Sequence, residues 1–417
     1  MNILIVGVSG FIGQHLYKVL KNHGHNLKGC SRHIVPDVNW VYFDFYQTQD
    51  AWLALLDGVD IVINAAGVYK ETKDTEFKEV HTDGPIELFK ICHKKNIRVL
   101  QISAVGAERE NPVSEFLRSK READQYLLKS HLPQVVLYPG IVLGEGGKST
   151  QQLSLLARQY IRPMVFKKNQ EIPLISIDQL TDEVVGIVID WPNENITKVI
   201  AGKPESVETL LKSLRNWMGL KRYSGIEVYI PESMTKFLFK LLPDFNVGSF
   251  DRQSFEMLDE YQLHKNWKLE NDTADSTASE LLSRNKVSGD FIRQRRLELL
   301  YYLNLIVLSL IWVMSGISSL INMEQSREII YLLEVDGKFA DAVIIVASLL
   351  DILLGVFLWV SRYRTLVIYF QIAIMLSYSI LISLFIPLYW LHPFAPVIKN
   401  FAVLILGLYL LVDKKEK

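Results

Sequence analysis

The fold is decided at the amino terminus, where residues 2–25 read NILIVGVSGFIGQHLYKVLKNHGH. The first five of these residues form an apolar run typical of a buried parallel strand. Three glycines follow with the spacing G-x-x-G-x-x-G, at Gly7, Gly10 and Gly13. Glycine permits a tight turn and a close approach of the backbone to a pyrophosphate, and the following helix directs its first N–H groups at the same anion. The stretch therefore predicts a dinucleotide-binding turn.

Strand-like and helix-like segments alternate after this turn. Helical spacing is found at Glu76–Lys95 and Ser114–Lys129. Short apolar segments suited to strands recur at Leu27–Ser31, Trp40–Phe43, Asp60–Asn64, Val99–Ser103 and Val135–Tyr138. This alternation predicts an α/β fold, a Rossmann doubly wound parallel sheet whose ligand lies beyond the carboxyl ends of the strands.

The end of the second predicted strand bears on the choice of nucleotide. An acidic residue about 20 positions after the glycines would bind the ribose hydroxyls of NAD. Here the strand ends in Gly29-Cys30-Ser31-Arg32, without an acid. Since a guanidinium is suited to binding a 2′-phosphate, Arg32 favours NADP(H) over NAD(H).

The last third of the chain consists of four apolar runs, each close to the roughly 20 residues that span a bilayer core as a helix. They are Leu297–Ile321, Ala340–Val360, Thr365–Leu388 and Phe394–Val412. We therefore predict three parts: a nucleotide-binding core at 1–145, a small substrate lobe with remaining sheet elements and a juxtamembrane region at 146–296, and a four-span transmembrane bundle at 297–417.

Basic residues in the flanks predict the orientation of this bundle. Arg293, Arg295, Arg296, Arg362, Arg364, Lys414, Lys415 and Lys417 all fall before the first run, between the second and third, or after the fourth. Both termini are therefore expected in the cytoplasm of a bacterial cell, with the protein in the inner membrane. No signal peptide is expected, because the first strand starts at residue 2.

Composition limits the other partners. The net charge is −1, which gives no electrostatic reason to expect nucleic acid. Two cysteines and nine histidines show neither a disulfide framework nor metal-ligand spacing, so we expect no metal site. The expected partners are the lipid bilayer, a lipophilic or quinone-like substrate, and a membrane protein or a second copy of the chain.

Asp351 lies in the middle of the second apolar run. A charge at that depth is costly unless it is paired or hydrated, so the side chain should face the bundle, toward Lys399, Asn304 or Gln371. Two interpretations stay open: a site for a quinone, an ion or a small solute, and a polar contact that holds helices together.

These motifs resemble the extended or atypical short-chain dehydrogenase/reductases, including the nucleotide-binding accessory subunit of respiratory complex I. The resemblance covers roughly residues 1–200 and rests on the glycine spacing, Asp44-Phe45, Asn64–Gly67, Ser103, Tyr138–Gly140 and Ile177-Asp178. The membrane part is similar to DoxX-like bundles, with His392-Pro393 and Lys399-Asn400 before the last helix. By this resemblance the cofactor-binding residues are Gly7, Ser9, Gly10, Phe11, Ile12, Gly13, Arg32, Asp44, Phe45, Ala65, Ala66, Gly67, Lys120, Pro139 and Gly140.

The family's catalytic pair, Tyr-x-x-x-Lys, is incomplete. Lys120 is present, but Phe116 occupies the place of the tyrosine, which would exchange a proton with the substrate oxygen. Three interpretations follow: binding of NADP(H) without carbonyl chemistry, another acid such as Ser103, Tyr69 or Tyr138, or a hydride acceptor that needs no such acid. The candidate catalytic residues are Ser103 and Lys120. The predicted function is a membrane-anchored NAD(P)H-binding reductase-like protein, and the alternative is a non-catalytic NADP(H) sensor or assembly scaffold.

Overall fold

The computed structural model of the chain describes residues 1–45, 48–71, 75–164, 167–220, 225–241, 256, 276–284, 286–331, 337–360, 362–391 and 396–412. The chain separates into two compact units. The first comprises residues 1–232 and 253–292, and the second comprises residues 233–252 and 293–417.

The first unit is built on strands and helices that alternate along the chain. Its elements up to the sixth strand are β1 (Asn2–Val6), α1 (Phe11–Asn22), β2 (Asn26–Ser31), β3 (Trp40–Tyr42), α2 (Gln49–Leu55), β4 (Ile61–Asn64), α3 (Gly84–Lys95), β5 (Arg98–Ile102), α4 (Glu115–Lys129) and β6 (Gln134–Pro139). Those that follow are β7 (Ile141–Leu143), α5 (Lys148–Arg158), β8 (Ile161–Met164), β9 (Glu171–Ile172), β10 (Leu174–Ser176), α6 (Ile177–Ile189), β11 (Ile196–Ile200), β12 (Glu205–Ser206), α7 (Val207–Trp217), β13 (Ile226–Tyr229) and α9 (Ala278–Ser283). Before α9 in the chain comes α8 (Glu232–Leu241), which belongs to the second unit from Ser233 onward.

Seven of these strands form one sheet in the order β11-β6-β5-β4-β1-β2-β3, and every pairing is parallel. The first six strands follow the order 3-2-1-4-5-6 of a doubly wound nucleotide-binding sheet, with the switch point beside β1. The predicted Rossmann fold is therefore confirmed. β11 extends the sheet past β6, so residues beyond 145 complete it.

The alternation of side chains along β1 explains why both faces of the sheet are covered. Leu4 and Val6 are buried in a core that includes Leu88 of α3 and Leu117 of α4. Their neighbours Ile3 and Ile5 point the other way, into a core that includes Leu16 of α1 and Leu180 of α6. A strand buried on both faces needs an uninterrupted apolar run, which is what residues 3–6 supply.

The helices that carry the site begin at residues suited to capping. Ser114 caps α4, because its hydroxyl accepts a hydrogen bond from the backbone N–H of Leu117. The helix predicted over Glu76–Lys95 is less regular: a π-helical turn at Lys78–Asp83 precedes α3. Pro85 has no N–H to donate to the preceding turn, which is a physical reason for the irregularity.

Elements after β6 form smaller sheets. β7 pairs in parallel with β10, β8 pairs in parallel with β13, and β9 pairs in antiparallel fashion with β12. α5 and α7 pack on each other beside them. These elements make up the part of the chain expected to act as a substrate lobe.

The second unit contains apolar helices. The helices from residue 289 onward are α10 (Gly289–Ile321), α11 (Met323–Tyr331), α12 (Gly337–Phe357), α13 (Arg364–Phe385) and α14 (Pro396–Val412). Among the described residues, α10, α12 and α13 are long and apolar enough to cross a membrane, whereas the apolar stretch Val397–Leu411 is shorter. The first three predicted spans thus coincide with long apolar helices, and a count of four spans stays a prediction.

Small residues let α10 and α12 approach closely. A Cβ atom on Gly355 would lie 2.9 Å from the Ser309 carbonyl oxygen, and one on Gly316 would lie 2.3 Å from the Ser348 carbonyl oxygen. The Ser309 hydroxyl also donates to the Gly355 carbonyl oxygen at 2.7 Å. Close packing of small residues with hydrogen bonds between helices is the usual way to hold apolar helices together in lipid.

Asp351 is 6% exposed and thus faces the bundle as expected, but the described residues pair it with Ser315 and not with Lys399, Asn304 or Gln371. Its carboxylate accepts a bond of 3.1 Å from the Ser315 hydroxyl on α10. Of the expected partners, Asn304 donates to the Leu406 carbonyl oxygen, Gln371 donates to the Leu354 carbonyl oxygen, and Lys399 is exposed. Hydrogen bonds between side chains of different helices depend on how each helix is rotated and on the register between the helices. A hydropathy pattern contains neither quantity. His392 and Pro393 lie outside the described residues.

Candidate nucleotide-binding and catalytic site

The glycine turn after β1 is as tight as its sequence predicts. Gly7 has φ +82°, and a Cβ atom there would lie 2.7 Å from the Cα atom of Ala66. A Cβ atom on Gly13 would lie 2.3 Å from the Gly7 carbonyl oxygen. Only glycine fits these positions, since both neighbouring atoms belong to the backbone.

The same turn opens α1 toward a possible anion. Gly10 is the residue that precedes the helix, and no side chain caps its first turn. The N–H groups of Phe11, Ile12 and Gly13 therefore stand at the positive end of the helix, where a pyrophosphate binds well. The ring of Phe11 packs against the glycine-rich segment that follows β7, since a Cβ atom on Gly144 would lie 2.8 Å from it.

A groove runs along the carboxyl ends of β1, β2 and β4. Most of the predicted cofactor-binding residues come together in its wall, namely Gly7, Ser9, Gly10, Arg32, Asp44, Phe45, Ala65, Ala66 and Gly67. Val6, Cys30, Ser31, His33, Phe43, Val68, Glu79 and Val80 complete the lining. The turn, the free helix end and the groove fit a dinucleotide.

One end of the groove carries charges of both signs. The Arg32 guanidinium donates to the Thr75 hydroxyl at 2.9 Å, and the Tyr42 hydroxyl donates to the Asp44 carboxylate at 2.9 Å. The hydrogen bond to Asp44 raises the pKa of Tyr42. A 2′-phosphate at this end of the groove would thus meet the Arg32 guanidinium, and the Asp44 carboxylate lies in the same groove.

Pro139 and Gly140 are absent from that lining. A Cβ atom on Gly140 would lie 2.7 Å from the Pro173 carbonyl oxygen, so this glycine permits packing of β6 on the loop before β10. The Pro139 carbonyl oxygen accepts from the Val105 N–H at 2.9 Å. Both residues therefore lie at the end of β6, next to the loop that starts at Ser103.

The two candidate catalytic residues lie on neighbouring elements and are buried. Lys120 is 6% exposed, and its Nζ atom lies 3.4 Å from the Ile102 carbonyl oxygen, next to Ser103 in sequence. The same Nζ atom would be 3.6 Å from a Cβ atom on Gly67, which lines the groove. Burial lowers the pKa of Lys120. Lys120 thus reaches from α4 toward the wall of the nucleotide groove.

Phe116 occupies the place expected of it, beside the lysine. The centre of its ring lies 5.7 Å from the Lys120 Nζ atom. The ring also makes edge contacts with the rings of Phe77 and His81, at 5.7 and 5.2 Å between centroids. The position of the missing phenol is therefore filled by a well-packed apolar ring.

A buried hydrogen-bonded network that the motifs did not reveal centres on Asp124. The Ser103 hydroxyl donates to one carboxylate oxygen of Asp124, and the Gln101 side-chain amide donates to the other at 3.1 Å. Gln101 in turn accepts from the Asn64 amide at 2.8 Å, and Asn64 accepts from the Ala66 N–H at 3.2 Å. The network thus connects α4 with the wall of the groove.

The electrostatics of Asp124 are unusual for a carboxylate. Burial raises its pKa to about 6, against the opposing effects of the Ser103 hydrogen bond, the Lys120 charge and the Gln101 hydrogen bond. The sequence holds one clue to this residue: Asp124 follows Lys120 by four positions, so both lie on one face of α4.

His81 was also missed, and it is held neutral. Its Nε2 atom accepts from the Val68 N–H at 3.0 Å, so its proton lies on Nδ1, which donates to the Ser119 hydroxyl at 3.0 Å. The Ser119 hydroxyl in turn donates a hydrogen bond to the Phe116 carbonyl oxygen at 2.9 Å. Burial, aided by the Lys120 charge, holds the pKa of His81 well below its usual value. His81 therefore supports the loop that follows β4.

The alternative phenols differ in their surroundings. Tyr138 is 3% exposed in the core between β6 and α4, and burial raises its pKa. Tyr69 is half-buried two residues after Gly67. Among the described residues, no group of three or more His, Cys, Asp or Glu side chains is arranged to hold a metal ion.

Two parts of the chain match known protein families. Residues 3–181 match the NAD dependent epimerase/dehydratase family. They form an epimerase-like NAD-binding domain. Residues 309–408 match the DoxX-like family, so this chain joins the epimerase-like domain to a DoxX-like domain. Both resemblances inferred from the motifs are confirmed.

Individual proteins similar to the chain include a reductase, MoeE5 and an epimerase. The ceramide reductase of Caulobacter vibrioides (strain NA1000 / CB15N) is 24% identical over 190 residues, which span 44% of this chain and 59% of the relative. The structure of MoeE5 in complex with UDP-glucuronic acid and NAD superposes with a TM-score of 0.53, at 17% identity, over 70% of this chain and 99% of MoeE5. The UDP-glucuronic acid 4-epimerase of Bacillus cereus in complex with NAD gives a TM-score of 0.48, at 19% identity and with the same coverage.

The glycine turn of the epimerase-like domain gives a direct test of nucleotide binding. Gly13→Ala places a methyl group against the Gly7 carbonyl oxygen and should weaken NAD(P)H binding at least about tenfold, because the turn must open. Titration of nucleotide fluorescence measures the change. Gly186→Ala is the control, since a Cβ atom there meets no other atom within 4 Å. Equal binding by both variants would show that the nucleotide does not use this turn.

Proposed function

We propose that this protein is a membrane-anchored NAD(P)H-dependent reductase, and that its substrate is a ketone of a long-chain lipid of the ceramide class. The observation that carries the proposal is the placement of Lys120 and Ser103. Both are buried at the carboxyl end of β5, and the Lys120 Nζ atom comes close to Gly67 in the groove wall. A fold kept only for packing has no need to bury an ammonium group beside a nucleotide groove.

Two features support a lipid substrate. The DoxX-like domain and three long apolar helices support a protein that works at a bilayer, where lipids are dissolved. The curated relative is named a ceramide reductase. A quinone-like acceptor fits the same setting. Assays with lipid ketones and with quinones distinguish these two classes of substrate.

Each residue of the site has a proposed part in the reduction. A bound nicotinamide nucleotide would supply the hydride. The turn from Gly7 to Gly13 binds the pyrophosphate, and Lys120 binds the ribose hydroxyls near the nicotinamide. With substrate bound, Ser103 would turn its hydroxyl proton from Asp124 to the carbonyl oxygen of the substrate and so fix which carbon receives the hydride.

A second candidate function is favoured by one observation. Phe116 fills the position of the family's phenol with a ring that has no proton to give. A domain that binds NADP(H) and reports its redox state, or that stabilises a membrane assembly, would need the nucleotide groove and no acid. The two functions differ in one measurable property, the oxidation of NAD(P)H in the presence of a substrate.

We further propose that the nucleotide is NADP(H). Arg32 lies in the groove wall at the end of β2, where a 2′-phosphate would meet its guanidinium. Arg32→Ala should weaken NADPH binding by about ten- to 100-fold, the range of a hydrogen bond to a charged group, and should leave NADH binding nearly unchanged. Calorimetric titration with both nucleotides measures this, with Arg118→Ala on the surface of α4 as control. Equal losses for NADPH and NADH would contradict the role given to Arg32.

We also propose that both termini are cytoplasmic and that the protein crosses the bacterial inner membrane several times. The support is the distribution of Arg293, Arg295, Arg296, Arg362 and Arg364 around the apolar helices. Protease added outside sealed spheroplasts should then leave residues 1–290 intact, and should cut them after the membrane is permeabilised. Cleavage in that region before permeabilisation would contradict the proposed topology.

The reductase proposal is tested with the full-length protein in lipid nanodiscs. We expect NADPH oxidation on addition of a ceramide-type ketone, little with a short-chain ketone, and none with a ceramide that lacks a ketone. Phe116→Tyr should raise the rate, by up to about 100-fold, because it restores a phenol beside Lys120. The exposed Phe237→Tyr is the control. Oxidation with quinones alone would make the protein a quinone reductase, and no oxidation with any acceptor would favour the sensor.

A further inference from the structure

We infer that Asp124 is the proton source of the reduction and that it acts through the Ser103 hydroxyl, in place of the phenol that Phe116 lacks. The inference rests on the proposed reductase function and adds to it the origin of the proton. Asp124 acts through Ser103 and has no need to touch the substrate itself, so we treat it as a proton-relay residue.

The geometry that carries the inference is the contact between these two side chains. The Ser103 hydroxyl donates a hydrogen bond to the Asp124 carboxylate, and across the same contact a protonated Asp124 would donate to the Ser103 oxygen. Asp124 is 1% exposed. The second carboxylate oxygen accepts from Gln101, which is itself held by Asn64. Both oxygens are thus fixed in direction, and Ser103 is the residue that directly follows β5.

Three other polar side chains of the site, those of His81, Tyr138 and Lys120, have surroundings that do not connect them to Ser103. His81 carries its proton on Nδ1, and that proton is donated to Ser119. Tyr138 lies in the apolar core. Lys120 donates to the Ile102 carbonyl oxygen and is assigned to the nucleotide ribose. Within the part of the chain that the structure describes, the Ser103 hydroxyl has its side-chain hydrogen bond with Asp124.

The proton balance of the step is simple. A bound NADPH would supply the hydride to the carbonyl carbon and be left as NADP⁺, and the π electrons of the C=O bond would move to the oxygen. The oxygen takes the proton of Ser103 as a new O–H bond forms, and Ser103 takes the carboxylic proton of Asp124. The ionised Asp124 recovers a proton from water after the alcohol has left. The net reaction is ketone, NADPH and one proton giving alcohol and NADP⁺.

The charged and titratable groups around Asp124 come from three elements. Lys120 lies on the same helix, Glu108 follows β5, and Tyr138 belongs to β6. With the pKa of Asp124 raised to about 6, the protonated form that the reduction needs is present below this value and is lost as the pH rises through it. The rate of reduction should therefore fall as the pH rises through about 6.

The test compares Asp124→Asn with Glu122→Gln, the same change of charge at an exposed position of α4. NADPH oxidation by the full-length protein in nanodiscs is measured with the ceramide-type ketone from pH 5 to pH 8. Asp124→Asn should lower kcat at least about 100-fold, should keep NADPH binding, and should abolish the fall of the rate near pH 6. Glu122→Gln should behave as the wild type.

A second measurement keeps the inference testable if Asp124→Asn folds poorly. Infrared difference spectra of the wild type should contain a carboxylic C=O band that titrates near pH 6. Ser103→Ala should retain such a band while it loses the reduction, because the carboxyl group remains and its link to the substrate is gone. An Asp124→Asn or Ser103→Ala variant with wild-type kcat and pH profile would overturn the inference. A wild type that oxidises no NADPH with any ketone would overturn the reductase proposal itself, and the relay with it.

Discussion

The site depends on the close approach of two backbone segments, the glycine turn after β1 and the loop after β4. The turn after β1 passes so close to Ala66 and back upon itself that neither Gly7 nor Gly13 has room for a methyl group. This packing sets the end of β1 against the loop after β4 and points the first turn of α1 into the groove between them. The nucleotide groove, and every residue placed along it, follows from that contact.

The buried polar groups beside the groove are the second organising feature. Removing an ammonium or a carboxylate from water costs several kcal/mol, and the cost is offset only when partners satisfy its hydrogen bonds. Lys120 and Asp124 are both at least nine-tenths buried, and Ser103, Gln101 and Ile102 supply such partners. Apolar residues would fill the same space at less cost. The proposed chemistry gives a reason for the polar set to be there.

Much of this architecture could be predicted from the sequence, because it depends on local pattern. The apolar run of β1, the glycine spacing and the alternation of strands and helices each predict their elements directly, and the residues that follow the strands do meet at one edge of the sheet. The hydrogen-bonded network around Asp124 could not be predicted, because an acidic residue in a helix is expected at the surface unless the buried face of that helix is known. Asp351 was paired incorrectly for a related reason: its partner Ser315 depends on the register between α10 and α12. Pro139 and Gly140 stay predicted cofactor-binding residues, and the packing of Gly140 on Pro173 is a non-local contact that no motif reports.

The central claim is that the nucleotide delivers a hydride to a lipid ketone in this protein. The most direct measurement of that claim follows the hydrogen itself. The full-length protein in nanodiscs is incubated with NADPH that carries deuterium on one face of C4, together with the ceramide-type ketone, and the extracted lipid is analysed by mass spectrometry. The account predicts that deuterium from one of the two faces appears on the new carbinol carbon. Recovery of unchanged ketone, with NADPH bound and not oxidised, would contradict it and would leave a domain that senses or holds the nucleotide at the membrane.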